Sequence, residues 1–293
     1  MVKRFQAVGI VGVGQLGRPV AESLLQAGYE LSAYQRTRKG TPVEGGGQWA
    51  ESPLALARAV DALFLCLPSE EAAEQVLEGE SGILAGLRPD QIVIELGTYR
   101  KSFKLALARK IQAKGAQVLE VEVSGSPVMV RQRKAALYIG GASELVETCH
   151  SLLEAVSPNQ FHIGPLGSAV AMKLIANYLL SIHNLAAAEA MNMAVRAGFD
   201  PQRAVEVLRD GAGGSAMFSV RAPMMAKRQF LPAPGPFSTL EKYLDLGSEM
   251  AQELGCATPL FSAAQAIYRQ ALESPMRDED IAAVIKLLEA QSR

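Results

Sequence analysis

The residues best suited to chemistry in this 293-residue chain fall into separate stretches. Gly12-Val13-Gly14-Gln15-Leu16-Gly17 follows a short apolar run and opens a helical pattern. In that setting the first glycine permits a tight turn and the second lets backbone approach a pyrophosphate. The third lets helix and strand pack closely, and the first helical turn offers its N–H groups to the phosphates. Gln35-Arg36-Thr37-Arg38 ends the next apolar run. An NAD site usually has an acidic residue here for the ribose hydroxyls. A neutral residue followed by guanidinium and hydroxyl donors suits a 2′-phosphate, so NADP(H) is expected over NAD(H). A solvated basic turn is the competing reading. Farther on, Lys173 is followed one helical turn later by Asn177. An ammonium in apolar company is costly unless it reaches water along its stem or is used as an acid/base.

The elements that must position these residues alternate through the first half. Strands are expected at Gln6 to Val11, Glu30 to Gln35, Ala62 to Leu67, Gln91 to Leu96, Ala116 to Val123, Ala136 to Ile139 and Gln160 to Ile163. Helical patterns lie between them, from Pro19 to Ala27 and from Ser52-Pro53 to Val60, then at Ala72 to Leu77, Lys101 to Lys114 and Glu144 to Val156. Alternation of this kind implies a doubly wound α/β sheet of Rossmann type, with ligands outside its C-terminal strand ends. Leu67-Pro68 and Gly97-Thr98 fall at such ends, although either pair could be an ordinary turn.

A helix from Leu166 to Arg196 then spans roughly 30 residues, about 45 Å. Apolar residues such as Met172, Ile175, Leu179 and Met193 occupy nearly every face, so burial most of the way round is expected. Lys173, Asn177, Ser181, Asn184 and Asn192 form one polar stripe, whose far members are expected to line a cleft or a subunit contact. The remainder reads as an all-α domain, with segments at Asp200-Pro201, Ser215 to Gln229, Ser238 to Leu254, Leu260 to Leu272 and Asp278 to Gln291. The division is therefore 1–164 for the dinucleotide domain and 165–293 for the helical domain, which begins with the long interdomain helix.

Composition excludes several classes. Hydrophobic residues make up 49%, charged residues 20%, and the net charge is −1, so neither nucleic acid nor an acidic tail is indicated. Cys66, Cys149 and Cys256 have no metal spacing and read as reduced thiols of a cytoplasmic protein. The glycine-punctuated start does not suit a signal peptide, and no apolar run is long enough to span a membrane.

Four stretches in this order resemble the β-hydroxyacid dehydrogenases, the family of 3-hydroxyisobutyrate dehydrogenase and the glyoxylate and semialdehyde reductases. They are GIVGVGQLGRPVAESLLQAGYELSAYQRT near the start, VSGSP at Val123 to Pro127, GPLGSAVAMKLIANY at Gly164 to Tyr178, and FSTLEKYLDLGSEMAQELGCATPL at Phe237 to Leu260. The resemblance implies that Lys173 is the general acid/base and that Asn177 holds substrate or lysine. It implies that Ser124, Gly125 and Ser126 bind a substrate carboxylate, and that Leu67, Pro68, Thr98 and Lys242 touch the cofactor. Reduction of a carbonyl builds negative charge on its oxygen, which a nearby ammonium stabilises and then protonates. The family usually forms dimers or tetramers through the helical half.

The chain also departs from the family. Glu120-Val121-Glu122 stands where Asp-Ala-Pro is usual, Ser126 replaces a glycine, and Met129, Val130, Arg131 and Arg133 replace small loop residues. Tyr243 stands where an aspartate commonly follows the cofactor lysine. Arg131 or Arg133 could meet a second acidic group on the substrate, but a solvated loop is the plainer reading. The expectation is an NADP(H)-dependent oxidoreductase interconverting a small aldehyde or keto acid and its hydroxyacid. The alternatives are an imine reductase, a class that generally lacks the lysine, and a non-catalytic NADPH-binding sensor.

Overall fold

The computed structural model describes residues 5–38 and 40–292; the charged start of the chain, residues 1–4, lies outside them. Its strands are β1 (Ala7–Val11), β2 (Glu30–Tyr34), β3 (Gln48–Trp49), β4 (Ala62–Leu65), β5 (Ile92–Glu95), β6 (Gln117–Ser124), β7 (Ala136–Gly140) and β8 (Gln160–Gly164). They form one sheet in the order β3-β2-β1-β4-β5-β6-β7-β8. Only β6 and β7 pair antiparallel. Their connection holds one five-residue helix, Pro127–Arg131, too little chain for a parallel crossover. The central strands are covered on both faces, which is why AVGIV, ALFL and IVIE read as nearly unbroken apolar runs.

Helices Gly17–Gln26 and Ser143–Val156 cover one face through Val20, Leu24, Leu145 and Leu152. Pro53–Ala59, Glu70–Leu77 and Lys101–Gln112 cover the other through Leu56, Ala73, Leu77 and Leu107. Strand β6 shows how alternation distributes chemistry. Leu119, Val121 and Val123 join the first core, while Val118 belongs to the second. Glu120 and Glu122, in phase with Val118, share its face. Sequence periodicity missed β3 and the helices Ile83–Gly86 and Pro127–Arg131, each too short to show a period.

The chain divides into two compact units, the first ending at Lys173 and the second beginning at Leu174. The boundary lies inside the long helix, Ser168–Arg196. The second unit is helical among its described residues, with Pro201–Arg209, Ala216–Lys227, Phe237–Glu253, Pro259–Leu272 and Ile285–Gln291 joined by two 3₁₀ turns. The segment expected as one helix from Asp278 is divided. Asp280 instead caps the 3₁₀ turn Ile281–Val284, accepting from the N–H groups of Ala282 (3.0 Å) and Gly235 (3.0 Å). Its carboxylate also pairs with the buried Arg221 guanidinium at 2.8 Å. Burial raises the Asp280 carboxyl and lowers Arg221, and each partner's charge opposes the shift of the other.

Two expectations for the long helix change. Ser181 and Asn184 line no cleft: they are buried fasteners of the second core. Asn184 Nδ2 donates to Tyr268 Oη (2.9 Å) and to the Ile281 carbonyl (3.0 Å), and Tyr268 Oη donates to the Ser181 carbonyl (2.8 Å). Asn192, half-buried, donates to Ser292 Oγ at 3.2 Å. The apolar faces also divide. Leu174, Leu185 and Met191 are buried, whereas Met172, Ile175, Leu179 and Met193 are 37%, 47%, 46% and 71% exposed. Composition cannot separate these classes, because an apolar stripe is equally consistent with a core and with a subunit contact.

Candidate active site

The glycine-rich turn between β1 and helix Gly17–Gln26 can be tested against the ligand it is expected to hold. Gly12 adopts φ +88°, and a Cβ there would lie 2.2 Å from the Cys66 carbonyl oxygen. A Cβ on Gly17 would lie 1.8 Å from the Gly12 carbonyl oxygen. Both glycines are required by the protein's own backbone. Gly14 differs, since a Cβ built on it meets nothing within 4 Å. The space before Gly14 is open where a pyrophosphate would approach, and no side chain caps the adjoining helix N-terminus. Gln15 is exposed at the tip and Leu16 packs against the core. The cradle fits a dinucleotide.

At the end of β2, Gln35 is half-buried while Arg36, Thr37 and Arg38 are exposed. The arginines are not equivalent. Arg38 stacks over the Tyr34 ring, 5.5 Å from its centroid, and donates to the Glu51 carbonyl at 2.7 Å. Arg36 makes no hydrogen bond or ion pair among the described residues.

The loops after β4 and β5 are tied together. Tyr99 Oη donates to the Leu67 carbonyl at 3.0 Å. Arg100 reaches Glu70 with both its backbone N–H (3.0 Å) and its guanidinium. Leu67-Pro68 and Thr98 are thus held side by side at neighbouring strand ends. Burial, joined by the Glu95 charge, raises the Tyr99 phenol well above its ordinary range, so it remains a donor.

Beneath these loops is a buried charge cluster that the sequence reading missed. Glu95 ends β5 opposite Glu120 of β6, and Glu122 is two residues farther on. All three face Lys104 of helix Lys101–Gln112, whose ammonium lies 2.5 Å from Glu122, 2.9 Å from Glu95 and 3.3 Å from Glu120. Glu122 uses its second oxygen to accept from Thr98 Oγ1 at 2.6 Å. Glu120 accepts from the N–H groups of Gly167 (2.6 Å) and Val170 (2.9 Å), holding the first turn of the long helix. One lysine cannot balance three buried carboxylates. Burial therefore raises Glu95 to about 7, against the pull of Lys104 and reinforced by Glu122. Burial also opposes the charge on Lys104, but Glu122, Glu95 and Glu120 outweigh it and hold that ammonium well above the usual lysine range.

Lys173 lies one turn beyond the helix start. It is only 7% exposed, and its Nζ donates to the Val123 carbonyl at 2.8 Å, immediately before Ser124-Gly125-Ser126. It does not snorkel to water. Burial lowers its pKa and the Glu122 charge partly opposes that. Asn177, on the same face of the helix, is 8% exposed, and its Nδ2 donor has no partner among the described residues. Ser126 Oγ caps helix Pro127–Arg131, accepting from Met129 N–H at 3.3 Å. Arg131 pairs with Glu22 at 2.9 Å and Arg133 donates to the Glu154 carbonyl at 2.6 Å, so both loop arginines have structural employment. Lys242 is half-buried on Phe237–Glu253 of the second unit, where the following Tyr243 packs against that unit's core.

A doubly wound sheet with this glycine cradle defines the dinucleotide-binding class. The family model for the NAD binding domain of 6-phosphogluconate dehydrogenase matches residues 7–164. A second, described as NAD-binding of NADP-dependent 3-hydroxyisobutyrate dehydrogenase, matches residues 167–288. Glyoxylate/succinic semialdehyde reductase 2 of Arabidopsis thaliana is 29% identical across 97% of this chain and 80% of its own length. L-threonate dehydrogenase of Cupriavidus necator is 29% identical across 96% and 95%. The crystal structure of 3-hydroxyisobutyrate dehydrogenase from Salmonella typhimurium superposes with a TM-score of 0.84 at 27% identity, covering 96% of this chain and 99% of that one. The chain belongs to the β-hydroxyacid dehydrogenase family and is an NAD(P)-dependent hydroxyacid dehydrogenase.

The cradle predicts a contrast between glycines. Gly14→Ala is expected to unfold near the wild-type temperature while losing about tenfold or more in dinucleotide affinity, whereas Gly17→Ala is expected to lower the thermal midpoint sharply. Calorimetric titration and thermal melts of both variants check this. The charge cluster predicts a pH slope. Glu95 ionises at about 7 when folded, against 4.5 ordinarily, so the folded state holds the extra proton between those values and stability falls as pH rises through them. Thermal midpoints of wild type and Glu95→Gln, measured from about pH 5 to about pH 8, are expected to show the difference (wild type minus variant) declining with pH.

Proposed function

We propose that this dehydrogenase interconverts a small aldehyde or keto acid and its hydroxyacid, with NADP(H) preferred and Lys173 as the general acid/base. The observation that carries the reading is the buried Lys173 ammonium, hydrogen-bonded to the Val123 carbonyl at the root of the Ser124-Gly125-Ser126 loop. The nicotinamide, when bound, supplies or accepts the hydride. Lys173 then donates a proton to the carbonyl oxygen in reduction and takes it from the hydroxyl in oxidation. Desolvation of Lys173 favours its neutral form and brings its titration closer to neutrality, so that both directions are served. The unpartnered Asn177 Nδ2 is a donor for substrate oxygen, and backbone N–H groups of the Ser124-Gly125-Ser126 loop suit a carboxylate.

The residues assigned to the cofactor are Gly12, Gly14, Gln15, Leu16 and Gly17 at the pyrophosphate and Gln35, Arg36, Thr37 and Arg38 at the ribose phosphate. Leu67, Pro68, Thr98 and Lys242 are assigned toward the nicotinamide. The exposed Met172, Ile175 and Leu179 stripe supports assembly as a homodimer or homotetramer, in which a second copy would cover it. Among the described residues no helix is long and apolar enough to cross a membrane; a cytoplasmic location is part of this proposal.

The deciding experiment follows NADPH oxidation with glyoxylate, succinic semialdehyde, hydroxypyruvate and cyclic imines. Turnover of a carbonyl acid that drops about 10²- to 10⁴-fold in Lys173→Ala supports the reading. Turnover of imines alone would make the protein an imine reductase, and tight NADPH binding without turnover would make it a sensor. A charge-assisted hydrogen bond contributes about 1.5–3 kcal/mol, so Arg36→Ala is expected to weaken NADPH about tenfold or more relative to NADH. Arg38→Ala should act less, because that guanidinium is already held by Glu51 and Tyr34. Equal losses for both cofactors would remove the NADP(H) assignment.

A further inference from the structure

We propose that Glu122 is a positioning residue for the acid/base chemistry, its buried carboxylate fixing Thr98 at the end of β5 and setting the field in which the Lys173 ammonium works. This inference rests on the reading of Lys173 given above and extends it to a residue on a different element.

The geometry is specific. Glu122 is 1% exposed, so its charge is not screened by water. One oxygen meets the Lys104 ammonium at 2.5 Å and the other accepts from Thr98 Oγ1 at 2.6 Å. Glu122 divides its oxygens between its counter-ion and a residue at the cofactor end of the sheet. The next carbonyl along β6, that of Val123, accepts the hydrogen bond from Lys173. The strand that carries the carboxylate therefore also seats the ammonium.

The surroundings account for the direction of the effect. Lys104 faces Glu122 from helix Lys101–Gln112, Glu95 and Thr98 from β5 and its end, and Glu120 from the same strand, while Lys173 reaches the carbonyl of the next residue, Val123, from the long helix. Tyr138 of β7 lies directly opposite in the antiparallel register. Glu95, Glu120 and Glu122 share the Lys104 ammonium, and it is Glu95 whose carboxyl burial pushes up to about 7. The Glu122 charge favours the protonated form of Lys173 against burial.

The test is the pH profile of kcat for carbonyl reduction with NADPH saturating, in wild type, Glu122→Gln and Glu122→Asp. Gln keeps the volume and an acceptor for Thr98 but removes the charge. Lys173 then loses its proton at lower pH, and the limb where reduction fails is expected to move down by about one pH unit. Asp keeps the charge but withdraws it, so its limb should lie between those of wild type and Gln. A purely structural role would lower the thermal midpoint and leave the limb in place. Glu95→Gln is the control for the other group that titrates nearby, and the limb should persist in it.

If Glu122→Gln does not fold, Glu122→Asp decides: a downward displacement supports the proposal and a limb coincident with wild type overturns it. If both variants fold, an unmoved limb in both overturns it. Lys173→Ala separates the two levels of inference. If that variant retains carbonyl turnover, the reading of Lys173 fails and this proposal fails with it. If it is inactive while the Glu122 limbs stay fixed, only the present inference fails.

Discussion

The first unit depends on how one lysine is shared among three carboxylates. Lys104 sits where β5, β6 and the helix Lys101–Gln112 meet, and its ammonium pairs with Glu95, Glu120 and Glu122. Breaking a buried ion pair by removing one partner typically costs about 3–5 kcal/mol, because the other charge is left stranded. Here more than one buried carboxylate would lose its counter-ion at once. Each carboxylate also holds a different piece of backbone or side chain: the Gly97 N–H, the first turn of the long helix, and Thr98. Their common counter-ion links the end of a central strand to the start of the helix that bears Lys173.

Much of the cofactor cradle was legible in the residues. Gly12 and Gly17 are demanded by backbone clashes that any side chain would create, and such demands leave a fixed spacing in the sequence. The strands were legible for a related reason, since double-sided burial leaves unbroken apolar runs. Lys173 was legible as an anomaly within an apolar helix. Its true environment was not, because the Val123 carbonyl and the Glu122 charge come from a strand 50 residues away in the chain.

The acidic cluster was hidden by alternation. In QVLEVEVS the glutamates alternate with apolar residues, the pattern of a strand with one face in water. Only the helix covering that face, and the lysine it brings, make them buried. Lys104 gave no signal either, since a lysine in an amphipathic helix ordinarily points outward. The long helix erred in the opposite sense: Ile175 and Leu179 read as core but are exposed, whereas Asn184 reads as surface and is fully buried against Tyr268. Polarity predicts burial only on average: the Asn184 amide nitrogen finds two acceptors inside, Tyr268 Oη and the Ile281 carbonyl.

The cross-tie between the loops after β4 and β5 has its own consequence. The Tyr99 hydroxyl and the Arg100–Glu70 pair close a small ring of contacts across two turns far apart in sequence. Neither turn can wander without the other, so their conformational freedom is surrendered during folding. A ligand arriving at those strand ends would meet two turns already tied to one another. The entropy of ordering it is absent from the binding equilibrium, and affinity at that edge reflects contact rather than rearrangement.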